Sequence, residues 1–167
     1  MIKALRPPRP RSAPVLLAVA LLAACAQGRE AENGPDGTVG SGLPRGTLVI
    51  EAREGEVRVS VEIAEAIEDQ IRGLRFREHL PADAGMVFLH PDPEPQAFVM
   101  EDTLIPLSVA WWNEEGRIVA IEDMEPCTGG VCPTYGPHGL TVGAVEVNQG
   151  FFEEHGVEVG DRVRLER

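Results

Sequence analysis

Residues 57–63 read Val-Arg-Val-Ser-Val-Glu-Ile. Val57, Val59, Val61 and Ile63 alternate with Arg58, Ser60 and Glu62, the two-residue period of a strand with one buried face. Leu48 and Ile50 repeat the pattern just upstream, and Glu54-Gly55 between the two stretches predicts a hairpin. Downstream the period changes. Ile67, Ile71 and Leu74 stand at i, i+4 and i+7, with Glu65, Glu68 and Asp69 near the positive end of the helix dipole. An amphipathic helix of about three turns is predicted, weakened near its end by Gly73. Residues 80–95 hold four prolines and leave room for only a short strand over Met86 to Leu89. Further strands are expected at 96–100, 107–112, 117–124, 142–147 and 162–165. Asn113-Glu114-Glu115-Gly116 joins the second and third of these. A short helix over 149–155 is closed by Gly156.

The chain has 167 residues, 43% of them apolar, which suits one hydrophobic core. Aromatic residues make up 5% while Gly (18) and Pro (14) are plentiful, favouring short strands and turns over long packed helices. With 15 basic and 27 acidic residues, the net charge of −12 repels phosphate backbones, so no nucleic-acid partner is expected. Lys3 is the only lysine, and no nucleotide-binding, nucleophile-elbow or H-E-x-x-H motif occurs. No cofactor is expected.

Lys3, Arg6, Arg9 and Arg11 precede a ten-residue apolar run, Val15 to Ala24, as in a secretory signal. The run ends in Leu22-Ala23-Ala24-Cys25, which resembles the lipobox of bacterial lipoproteins. Residues 1–24 are therefore expected to be a removed signal peptide and Cys25 a lipidated N-terminus. Residues 25–46 read as a Gly- and Pro-rich flexible tether, and 47–167 as the folded domain. Losing the four leader bases would leave 11 bases against 27 acids, a charge of −16, so the membrane contact should rest on acyl chains. The expected location is the outer face of the cytoplasmic membrane, or the outer membrane.

Gly73-Leu74, Phe76-Arg77, Leu80-Pro81, Gly85-Met86-Val87-Phe88, Thr103-Leu104-Ile105-Pro106-Leu107, Gly116-Arg117-Ile118-Val119 and Glu146-Val147-Asn148-Gln149-Gly150 occur in collinear order. With Met100, Gly156 and Gly160-Asp161 they resemble the domain-of-unknown-function 192 (DUF192) family from near Val57 to the C-terminus. That resemblance implies an α+β, β-rich domain: a compact, strongly curved or barrel-like sheet with one or two short helices. It implies no established activity. Two positions depart from the family pattern. Glu101 stands in Val99-Met100-Glu101-Asp102-Thr103 where a base is usual, and Arg75 follows Gly73-Leu74 where Met is common.

Cys127 and Cys132 enclose Thr-Gly-Gly-Val, and in an oxidising compartment a disulfide is expected, contributing about 2 kcal/mol on the chain-entropy model. The alternative is a thiol redox or metal-handling accessory. Its redox form lacks the C-x-x-C spacing, and its metal form would recruit Cys127, Cys132, His138 and Met124 for Cu(I). Glu101 and Asp102, as neighbours in extended chain, should point apart, with Glu101 solvated and Asp102 bonding turn amides. Trp111 and Trp112 should likewise split, one ring inside and one outside. His79, His90, His138 and His155 read as surface groups.

Pro106 forces Met100 to Leu107 to be extended near a sheet rim, and a disulfide would stiffen the facing loop. The expected binding cleft is bounded by Met100, Asp102 and Thr103 on one side and Thr128, Tyr135 and His138 on the other. These features point to a membrane-anchored, non-catalytic module binding a small molecule or an envelope protein. Cys25→Ser is expected to abolish acylation and move the chain out of the membrane fraction, as lipid labelling with fractionation would show; a non-acylated variant that stays with membrane after signal removal would refute the anchor.

Overall fold

The computed structural model describes residues 41–167; the expected signal segment, Cys25 and the expected tether through residue 40 lie outside the described residues. The alternating stretch forms β2 (Gly55–Ala64), paired antiparallel with β1 (Arg45–Ala52) from Arg45↔Glu62 to Ala52↔Gly55. The hairpin is thus in place, and its pairing starts ahead of Thr47. Val59, Val61 and Ile63 are buried while Arg58 and Ser60 are exposed, as a one-sided strand requires.

Helix α1 (Ile67–Arg72) is shorter than the three turns expected, and it docks a different face. Gly73 ends it at φ 48°, a left-handed conformation that glycine adopts without strain. Gln70 faces the sheet instead of Ile71, its Nε2 donating to the Leu89 carbonyl at 2.8 Å. Ile67 and Ile71 are left 60% and 64% exposed, and only Leu74 of the predicted apolar face is buried.

Strand β3 (Ala84–Glu94) runs well past the short Met86–Leu89 strand expected from the prolines. It pairs parallel with β2 and antiparallel with β8 (Thr141–Asn148), and its register with β8 shifts between Leu89 and Glu94. Pro91 and Pro93 fall inside that irregularity, where no ladder donor is needed. Of residues 96–100, only β4 (Phe98–Val99) is strand, and it pairs with β7 (Thr134–Tyr135), a short strand just past Cys132. β5 (Leu107–Trp112), β6 (Ile118–Met124), α2 (Phe151–Glu154) and β9 (Arg162–Glu166) lie where expected.

Seven strands form one sheet in the order β6-β5-β8-β3-β2-β1-β9. Its edges meet at one end: Arg117 bridges Arg162, and the Ile118 and Val163 amides donate to the Asp161 and Gly116 carbonyls at 2.9 and 2.8 Å. The result is a strongly curled half-barrel with two short helices, the β-rich α+β fold that the sequence indicates.

Both faces of the central strands are covered. One core layer holds Leu48, Val61, Val87, Trp112 and Val145 with Phe151 and Phe152 of α2. The other holds Met86, Trp111 and Ala144 beneath Leu74, Leu80 and Met100. Trp111 and Trp112 do point to opposite faces, but neither is outside, because each face of β5 carries its own core. Trp112 lies directly over its register partner Gly143, where a Cβ would come within 2.3 Å of the indole ring. Gly143→Ala is therefore expected to lower stability by about 1–3 kcal/mol in denaturant unfolding, with Gly129→Ala, in open space, as a near-silent control.

Candidate functional site

A cavity of about 360 Å³ opens where the end of α1, the outer part of β3 and residues 95–103 converge over β8. Phe88 and Phe98 supply an aromatic wall, their rings edge to face at 4.9 Å, and Phe98 tilts against Trp111 at 5.8 Å. Ile67, Ile71 and Val99 form an exposed apolar lip, so the isoleucines that α1 withholds from the core border this opening. The volume lies within the range of small-molecule sites.

The buried polar residues on the cavity lining are Gln96, Thr103 and Glu146. Neither polar atom of the Gln96 side chain has a hydrogen-bond partner, although the residue is only 5% exposed. A buried amide without partners costs about 1–3 kcal/mol per unsatisfied group. Glu146 sits on β8 opposite Met86 of β3 and Val109 of β5, so apolar neighbours flank it on both sides. Burial pushes its carboxyl up to about 8, and the nearby Arg77 only partly opposes this.

The cations around the opening already have carboxylate partners. Arg72 bonds Asp69 at 3.2 Å, Arg75 bonds Glu101 at 3.1 Å, Arg77 bonds Glu62, and His90 pairs with Glu94. Arg75 and Glu101, the two departures from the family pattern, are thus partners in one ion pair. His90, expected at the surface, lines the cavity.

Of the six residues expected to bound a cleft, Thr103 lines this cavity. Met100 is a core residue, 1% exposed. The two segments do adjoin, but as paired backbone with no gap: Phe98 is opposite Tyr135, Glu101 bridges Cys127, and the Asp102 amide donates to the Cys127 carbonyl at 3.2 Å. The Tyr135 hydroxyl accepts from the Glu125 amide, and Thr128 and His138 stand apart from the cavity lining. Asp102 and Phe76 both have positive φ (57° and 61°), and the Phe76 amide donates to the Asp102 carbonyl at 2.8 Å. Two strained residues thereby fasten the turn after α1 to residues 100–103.

Cys127 and Cys132 form the expected disulfide. It closes the loop whose backbone pairs with residues 98–102, so it braces the strand that carries Phe98. Ser108 is buried against Asp123, and its Oγ accepts from the Gly150 amide at 2.9 Å, a bond that seats α2.

Sequence reasoning missed Gln96, Phe98 and Glu146. Glu146 had one available signal, a lone acid in the apolar run Val142 to Val147.

A curled seven-stranded sheet with two short helices and an apolar-walled cavity on one face defines a small β-rich α+β domain. Residues 49–165 match the DUF192 family, described as an uncharacterized ACR, and the chain belongs to that family. Two solved structures are similar. A protein of unknown function from Novosphingobium aromaticivorans DSM 12444 shares 27% identity at a TM-score of 0.69, over 74% of this chain and 87% of that one. A candidate transcription regulator from Sinorhizobium meliloti 1021 shares 23% identity at a TM-score of 0.68, over 74% of this chain and 95% of that one, a likeness of fold. No curated protein matches the chain significantly.

Glu146 links the cavity to pH. An unfolded glutamate titrates near 4.5 and the folded one near 8, so the unfolded chain ionises first as pH rises. Stability is expected to be fully present below about pH 4.5 and to be lost progressively toward pH 8, by up to about 4 kcal/mol from this group. Glu146→Gln should remove that slope and exceed the parent in stability at pH 8, measured by urea unfolding across the range. A variant less stable than the parent at pH 8 would show that the carboxylate is compensated.

Proposed function

We propose that this chain is a non-catalytic, extracytoplasmic binding module, held to a membrane by lipid at Cys25, whose small-molecule ligand occupies the cavity over Glu146. The observation that carries the reading is Gln96, a buried amide with both polar atoms unpaired at the wall of an open, aromatic-lined cavity. A fold gains nothing from such a group, and a ligand that reaches it recovers its lost hydrogen bonds. The groups gathered there, an amide, a hydroxyl and a carboxyl, suit recognition. Among the described residues, the serines and cysteines lie away from the cavity lining: Ser41 accepts from the Leu43 amide, Ser108 holds α2, Ser60 lies on the exposed side of β2, and Cys127 and Cys132 are bonded to each other.

Binding sites are maintained against stability, so the reading has a thermodynamic signature. Gln96→Leu, which keeps the volume and deletes the unpaired atoms, is expected to raise the denaturation free energy by about 1–3 kcal/mol. A loss of stability would mean that the amide serves the fold, and the ligand reading would fall. Fractionation of the full chain beside its Cys25→Ser form tests the anchoring half independently.

A further inference from the structure

The charges around the cavity are unequal in one respect. Arg72, Arg75 and His90, which line it, and Arg77 behind it each hold a carboxylate, and Glu94 is held by His90. Among the described residues, Glu146 is the cavity acid without an ion-pair partner, and it is 6% exposed. The flanking strands offer only Met86 and Val109 beside it. Arg77, which acts on it from a distance, is already bonded to Glu62, so a positive group inside the cavity would be the first direct partner of its ionised form.

We propose that the cavity takes a compact organic ammonium ion, with Glu146 as counter-charge, Gln96 and Thr103 as further hydrogen-bond acceptors, and the Phe88–Phe98 wall against its apolar body. The inference rests on the reading of this cavity as a ligand site. A primary ammonium carries three N–H donors, and the carboxylate, the Gln96 carbonyl and the Thr103 hydroxyl are three acceptors on one cavity lining. A cation near an aromatic face is attracted by the ring quadrupole, more strongly once both are desolvated. The acidic chain, −12 overall, raises the local concentration of cations and disfavours anions. Neutralised arginines at the rim leave no competing positive field. Because Glu146 is protonated in the empty cavity at neutral pH, entry of the ammonium ion shifts one proton from its carboxyl to buffer.

The test is calorimetry of the purified full chain with phenethylamine, phenethyl alcohol and phenylacetate at about pH 6.5, repeated in two buffers of different ionisation heat. NMR of the Gln96 side chain and the Phe98 ring locates the binding. The amine alone should bind there, releasing close to one proton, and Glu146→Gln should weaken it by at least about tenfold. If the alcohol or the acid binds there as well as the amine, the ammonium class is overturned while the ligand site stands. If none of the three moves Gln96 or Phe98, both are overturned.

Discussion

Strands β3, β8 and β5 lie in the middle of the sheet and are covered on both faces, and most of what is distinctive in this molecule follows from that double coverage. Residues adjacent in sequence enter different cores: Met86 and Val87, Trp111 and Trp112, Ala144 and Val145 divide between the two layers. A polar side chain on such a strand has no solvent side to turn to. Glu146 is in that position, and desolvation, not a neighbouring acid, is the larger cause of its raised pKa. Gly143 is explained by the same constraint, because the layer above it is filled by Trp112.

Legibility in the sequence tracked the number of covered faces. On β2 one face is solvated at Arg58 and Ser60, so side-chain polarity reports orientation directly and the hairpin with β1 could be placed to within a few residues. On β5 the run Leu-Ser-Val-Ala-Trp-Trp identifies a strand but not what lies over each face, and the expectation that one tryptophan is exposed failed for that reason. The helix was misjudged on the opposite ground. Apolar spacing in α1 suggested burial, yet Gln70 answers a stray β3 carbonyl at the register shift, and this bond turns Ile67 and Ile71 outward.

The candidate site was half legible. Pro106 and the two cysteines correctly marked two irregular segments near each other, and the structure joins them through β4, β7 and the Glu101–Cys127 bridge. Their proximity makes a wall, though, and the opening lies on the other side of that wall, toward α1. No local pattern announces this, since the cavity assembles residues from α1, β3, the 95–103 segment and β8. Gln96 in particular sits among prolines and alanine, where an exposed loop amide is the ordinary expectation.

The Arg75–Glu101 pair shows why single departures from a family pattern are poor guides to binding preference. Read singly, an acid in place of a base at 101 inverts the local charge, and a base in place of Met at 75 adds one. Together they cancel across 3.1 Å at the mouth of the cavity. Both are partly exposed, Glu101 more so, and such a pair contributes little stability, on the order of 1 kcal/mol or less. Its consequence is electrostatic: the mouth carries no net charge, so the sign of the site is set farther in, where screening by water is weakest. On the proposed reading, a selectivity fixed by one buried carboxyl is also conditional, because burial keeps that group neutral near neutral pH until a positive occupant enters. On that reading the cavity is uncharged when empty near neutral pH, at a cost to the fold that grows to about 4 kcal/mol toward pH 8, and becomes anionic only around an occupant that the charge favours.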